Sequence, residues 1–294
     1  MEPTRHRASL GSGASPWHDA LRRLRRNRLA MLGLLVLAGF FLAALLAPWV
    51  SPYPYDQTNL RYGAQPPTRT HLLGTDELGR DLFTRTLYGA RISFAVGVLA
   101  TLVSLGIGVS YGSVSAFAGG RTDQLMMRVV DILYGLPFMF FVIILMVIFG
   151  RNILNLFIAL GAVQWLTMAR IVRGQVLSLK GREFVLSAHA LGVSPPRLIV
   201  RHLLPNALGP IVVYATLTVP AVMLEEAFLS FLGLGVQPPM ASWGSLAAEG
   251  AAAMEAYPWL ILFPGLSLTV TLLSLNFLGD GLRDALDPRL TRRA

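Results

Sequence analysis

The sequence predicts an all-α polytopic membrane protein that crosses the bilayer six times. Three observations carry that fold class. Apolar runs of about 20 residues, the length a helix needs to cross a hydrocarbon core, recur six times. The composition is 54% hydrophobic and only 14% charged, with a mean hydropathy of +0.56, far from the quarter-charged average of soluble domains. The basic residues cluster mainly in the segments between the runs. Strands are excluded as spans, because an open strand leaves its backbone unpaired in lipid. The net charge of +9 does not mark a nucleic-acid surface, since the arginines form separate clusters and no continuous basic face. There is no cysteine, which removes disulfides, thiol catalysis and iron–sulfur ligation.

Residues 1–16 lack an apolar period and are expected to be unstructured. "LRRLRRNR" (Leu21–Arg28) is a cationic block. "LAMLGLLVLAGFFLAALLAPWV" (Leu29–Val50) follows and reaches about 33 Å as a helix. It exceeds a signal-peptide core and reads as an uncleaved span. The remaining spans are expected at Ile92–Phe117, Leu125–Phe149, Leu154–Val172, Ala207–Leu232 and Trp259–Leu278. Pro137, Pro210, Pro220 and Pro264 lie in or near them and mark kinks that neighbouring helices must satisfy. With both termini inside, 19 of the 25 arginines and lysines lie on the inner side, as the positive-inside rule requires. The expected division is a cytosolic basic segment 1–28, a first span 29–50, an extracytoplasmic loop 51–91, a core 92–283 and a cytosolic tail 284–294. The core carries a cytosolic loop at 173–206.

The outer loop ends in "GTDELGRDLFTRTLYGARIS", where Asp81 is placed to cap a short helix. A second outer segment, Pro238–Trp259, has the Ala and Glu content of another. Trp243, Tyr257 and Trp259 suit an interfacial aromatic belt. The inner stretch "GREFVLSAHALGVSPPRLIVRHLLPNALGP" (Gly181–Pro210) is basic and broken by Gly and Pro. Phe184, Ala188 and Leu191 fall at i, i+4 and i+7, one side of a short helix. Gly192 is placed to end it in the left-handed region. Ser194 and Pro195 begin a second helix, and Pro205 marks the entry to the fifth span.

Within this stretch Ala188, Gly192, Leu204 and Pro205 stand at the spacing of the EAA loop of ABC-transporter permeases, which the segment resembles. That pattern reads Glu-Ala-Ala, three residues, Gly, nine residues, Ile-x-Leu-Pro. Leu186 occupies the Glu position, Ser187 replaces an Ala, and His202 replaces the Ile. Glu183, one turn earlier, is the candidate substitute for the missing acid. "HLLGTDELGRDLFTRTLYGARIS" (His71–Ser93), "DQLMMRVVDILYGLPF" (Asp123–Phe138) and "LEEAFLSFLGLGVQPPMASWG" (Leu224–Gly244) are similar to the C-type subunit of the dipeptide/oligopeptide/nickel permease family. The resemblance spans roughly Leu21 to Pro288. It implies a type I ABC importer permease fold. It also implies pairing with a homologous B-type permease, two cytosolic ATPases beneath, and an extracytoplasmic substrate-binding protein. Glu183, Phe184, Leu186, Ser187, Ala188, Leu191, Gly192 and Pro205 then form the coupling site to an ATPase. ATP and Mg belong to those partners, because this chain has no G-x-x-x-x-G-K-[ST] loop. The expected role is that of a bacterial inner-membrane permease, not an enzyme, importing peptides or a related small ligand.

Other polar features have plainer readings. "GVSYG" (Gly108–Gly112) matches a nucleophile elbow, but Ser110 lies inside a span. Ser104, Gly108, Gly112 and Ala116 instead recur every four residues as a small-residue packing face. Arg128 and Asp131 are spaced for a local ion pair. Glu225 and Glu226 lie roughly 27 Å along the fifth span from Ala207, near its outer end. Adjacent residues point about 100° apart, so one of the two faces the interior. The functional reading is an anionic lining of the substrate path; the plain one is an inter-subunit pair or hydration at the outer edge. The five histidines show no metal-ligand spacing. A secondary transporter is the rival function. It calls for charges at the membrane midplane, where this chain has few. An intramembrane enzyme needs a nucleophile and base at one depth, and neither rival explains Gly181–Pro210.

Overall fold

The computed structural model describes residues 16–286; of the expected unstructured start, 1–15 lie outside them and Pro16 begins a helix, and the end of the tail, 287–294, lies outside them too. Eleven helices are described: α1 (Pro16–Arg26), α2 (Arg28–Val50), α3 (Leu82–Ala118), α4 (Gly120–Tyr134), α5 (Phe138–Phe149), α6 (Ile153–Lys180), α7 (Glu183–Ala190), α8 (Pro195–Leu198), α9 (Leu204–Phe231), α10 (Trp243–Ala252) and α11 (Trp259–Leu286). There is no strand among the described residues. Five helical stretches are long and apolar enough to cross a membrane, and the bent pair α4–α5 makes six when counted as one.

Helix starts follow local chemistry. Asn27 Oδ1 accepts from the Ala30 amide at 3.1 Å and opens α2. Asp81 Oδ2 does the same for Thr84 at 2.8 Å. Asn152 caps α6 through the Asn155 amide at 2.8 Å, and Ser242 with Ser245 forms a reciprocal capping box on α10. Each cap satisfies a donor with no partner inside its helix.

Three boundaries differ from expectation. The short outer helix after Asp81 and the second span form one 37-residue helix, α3. Arg85 and Arg91 read as loop charges, yet no proline interrupts the helix, and Arg85 is neutralised within it. Its Nη1 lies 2.7 Å from Asp76 Oδ2 and 2.9 Å from Glu249 Oε2. The third span is two helices bent by 86° across Gly135–Pro137. Pro137 has no amide to donate, and it pushes Leu136 out of helical geometry. α6 and α11 run on to Lys180 and Leu286, past the expected Val172 and Leu278.

α3 and α6 form the tightest pair. Ser104, Gly108, Gly112 and Ala116 are all buried on α3. A Cβ on Gly108 would stand 2.6 Å from Met168 Cβ, and one on Gly112 would strike the Ala169 carbonyl. Small residues let the two backbones approach, the usual basis of helix association in lipid. Ser110 Oγ donates to its own helix at Gly106 O, 2.7 Å away, so the elbow motif is plain helix. Trp243 is a correction to the belt reading. It is fully buried, edge-on to Phe40 and Phe94, and its Nε1 donates to Thr86 O at 2.9 Å. Trp259 Nε1 donates to Thr75 O at 3.1 Å and pins the outer loop. Arg128 and Asp131 do not pair. Asp131 Oδ1 takes Arg170 Nη2 from α6 at 2.8 Å instead.

Candidate coupling helix and substrate path

At the bundle end that carries α1, the chain leaves α6 through Gly181 and Arg182 and turns into α7. Val185 and Ala188, at i and i+3, point into the bundle with relative exposures of 3% and 7%. Val185 packs in a cluster that includes Ala116, Val172, Val176 and Leu203. Phe184, Leu186 and Leu191 point away, with exposures of 41%, 56% and 85%. Glu183 and Ser187 are exposed beside them. Phe184, Ala188 and Leu191 fall on neighbouring flanks as expected, but they are not one exposed contact face: Ala188 is buried and roots the helix, and Leu186 is exposed on the opposite flank, about 160° round from Phe184. An eight-residue helix has so few turns that its anchor, set by tertiary packing, decides which side shows.

Gly192 has φ +79°. Its amide donates to His189 O at 3.0 Å, and the Val193 amide donates to Ala188 O at 3.2 Å. This double bond pattern is a Schellman stop. Ser194 opens α8 in extended geometry without a side-chain cap bond. The stretch Ile199–Leu203 is then π-helical. Pro205 explains the widened turn: its ring crowds the Arg201 carbonyl and offers no amide. The Leu204 amide reaches back to Ile199 O, and Asn206 Nδ2 donates to His202 O at 2.6 Å. Pro205 itself is exposed in the first turn of α9. The π turn was not expected, although Pro205 within a helical pattern was its signal. The same end is fastened by Arg173, whose Nε and Nη2 grip Asp123 at 2.7 and 2.6 Å. Ser115 Oγ adds a 2.6 Å bond to Asp123 Oδ1. Lys180, the only lysine, donates to the carbonyls of Ala116 and Phe117 that end α3.

Glu225 and Glu226 part company in the fold. Glu226 is 1% exposed. Its Oε1 accepts from Ser230 Oγ at 2.8 Å and Ser242 Oγ at 2.7 Å, tying α9 to the cap of α10. It is not among the residues that line the cavity described next, so one of the two glutamates opens into that cavity and the other does not. Glu225 does line a cavity of about 370 Å³, bounded by the α4–α5 bend, α6 and α9. Its Oε1 accepts from Gln164 Nε2 at 2.6 Å, while Oε2 is buried without a hydrogen-bond partner. Tyr134, Phe138, Phe141 and Thr167 complete much of the wall. Gln164 and the aromatics were missed, because the bend that gathers them is a long-range feature.

Residues 104–292 match the family model of the binding-protein-dependent transport system inner membrane component. The chain belongs to that family. Residues 15–67 also match the N-terminal TM domain of oligopeptide transport permease C. The permease is 51% identical to the oligopeptide transport system permease protein OppC of Haemophilus influenzae, over 94% of this chain and 90% of that one. It is 52% identical to OppC of Escherichia coli K12, over 94% and 92% of the two chains. It is 49% identical to the dipeptide transport system permease protein DppC of Bacillus subtilis, over 93% and 86%. In fold it matches the inward-facing MetNI methionine ABC transporter with a TM-score of 0.57 at 17% identity, covering 68% of this chain and 94% of that one. The permease is thus a multi-pass inner-membrane component of an ABC importer. ATP hydrolysis in such importers lies on separate subunits.

Proposed function

We propose that this permease forms half of the translocation path of an ATP-driven peptide importer and relays the ATPase stroke through α7. The partners in this reading are a homologous B-type permease, two cytosolic ATPases that bind ATP and Mg, and an extracytoplasmic binding protein. Membrane lipid surrounds the spans. Both termini and α7 face the cytosol, in line with the arginine distribution. The relatives are oligopeptide and dipeptide permeases, which points to a peptide cargo.

The observation that carries the reading is a buried root under α7 with exposed apolar side chains around it. Val185 and Ala188 lock the helix to the bundle, while Phe184 and Leu191 on one flank and Leu186 on the other offer apolar contact to a partner that cups the helix. A push on α7 therefore moves α6 and α9 and is not absorbed by a loose loop. Glu183 and Ser187 supply polar contact at the rim, and Gly192 and Pro205 bracket the joint. Glu225 lines the path beside the bend.

The test is reconstitution of the purified complex in vesicles with a radiolabelled tripeptide. Uptake is expected to require ATP and the binding protein and to persist after an uncoupler collapses ion gradients. Uptake that follows the gradient and ignores ATP would favour a secondary transporter.

A further inference from the structure

We infer that Glu225 is the docking point for the free ammonium group of the cargo as it passes this permease. The inference rests on the cavity's belonging to the transport path. Among the cavity's lining residues Glu225 is the one carboxylate, and none is a cation. Arg170, the nearby guanidinium, is held by Asp131 at 2.8 Å and lies over the Tyr134 ring at 4.2 Å. Glu225 is thus left without a cationic partner among the described residues.

The two carboxylate oxygens differ. Gln164 fixes Oε1, which orients the group, and Oε2 has no donor. A buried carboxylate oxygen without a donor is costly, and a charged donor relieves that cost most. A primary ammonium has three donors and fits one free oxygen as a compact point charge. Tyr134, Phe138 and Phe141 line the same cavity and make its wall largely aromatic, a surface that tolerates a cation. Anionic groups would be repelled, and neutral ones would leave Oε2 poorly satisfied. About 370 Å³ is at the small end of ligand sites, so it suits the end of a peptide better than its length. Gln164 is a positioning residue in this account.

The experiment uses the full complex with its binding protein in vesicles and radiolabelled trialanine as the probe. Glu225→Gln is expected to lower uptake about tenfold, the size of one lost charge-assisted bond, and Glu225→Asp to keep most of it. Trialanine capture by the binding protein and copurification of the subunits should not change. Glu225→Trp, which puts a bulky ring into the cavity, should stop uptake. Glu225→Cys gives a second arm, since this chain has no cysteine. A sulfonate-bearing thiol reagent should restore uptake and a neutral reagent of similar size should not. If Glu225→Trp leaves uptake intact, the cavity is outside the path and the inference falls with it. If Glu225→Trp blocks but Glu225→Gln transports like the parent, the ammonium site is overturned and the path stands.

Discussion

Gly112 leaves no room for a side chain, because its Cα faces the Ala169 carbonyl across the α3–α6 contact. Gly106, six residues earlier, has nothing within 4 Å of a built Cβ. We expect Gly112→Val to cost at least the roughly 1–3 kcal/mol typical of overpacking. Gly106→Ala should be neutral or stabilise by up to about 1 kcal/mol. Thermal melts of the detergent-solubilised permease would separate the two. Glu226 yields a second expectation. Glu226→Gln keeps an acceptor for Ser230 and Ser242 and should melt near the parent. Glu226→Leu strands two buried hydroxyls, at about 1–3 kcal/mol each, and should melt clearly lower. The four-residue spacing of small residues on α3 was legible from the chain alone. So was the fact that neighbouring glutamates diverge by about 100°. Which glutamate turns inward was not, because Ser242 lies 16 residues away and meets Glu226 only when α10 folds back. Trp243 was misread for the same reason: aromatic content at an outer edge does not reveal burial by Phe40 and Phe94.

Helix α7 is held by two devices of opposite kind. Gly192 stops it in a conformation that costs other residues about 1–2 kcal/mol, and the π turn at Ile199–Leu203 sets its angle to α9. We expect Gly192→Pro to abolish uptake while the complex still assembles, with ATP turnover no longer stimulated by the loaded binding protein. A π turn holds one residue more than an α turn of the same span. Deleting Val200 should therefore turn the segment into regular α-helix and remove the widened turn from the joint between α7 and α9. The variant should stay folded, by its melting temperature, and lose uptake. Retained uptake in that deletion would show that the π turn is unimportant. The existence and order of the spans were legible, since each apolar run is about as long as a bilayer core is thick, or longer. Their ends were harder to read. Arg85 and Arg91 ended the second span on paper because their charges read as loop, and the Asp76–Arg85–Glu249 cluster that permits Arg85 is a tertiary feature. Pro137 marked a break in the third span, but a proline gives the site of a bend and not its 86° size.

The assembled bundle has two distinct ends. One carries the outer loop, α10 and the Asp76–Arg85–Glu249 ion cluster. The other carries α1, the Asp123–Arg173 grip and α7. Much of the apolar surface of α2 and α5, including Leu35, Phe41, Phe140 and Ile148, remains exposed in the single chain, as expected of helices that meet lipid or another permease. The cavity at Glu225 lies between these ends, and α6 and α9, against which α7 is rooted, both line it. The helix, glycine stop and second helix of Gly181–Pro210 were legible by residue order, but not the side of α7 that faces outward, which depends on the Val185 anchor. The most direct test is nucleotide-dependent crosslinking in the intact complex, using Leu191→Cys in this otherwise cysteine-free chain. The account predicts that Leu191→Cys joins to an ATPase subunit and is shielded from a hydrophilic maleimide, with Ala188→Cys unreactive in both tests. A Leu191→Cys that reacts freely with maleimide through the whole ATP cycle and never joins an ATPase would contradict it.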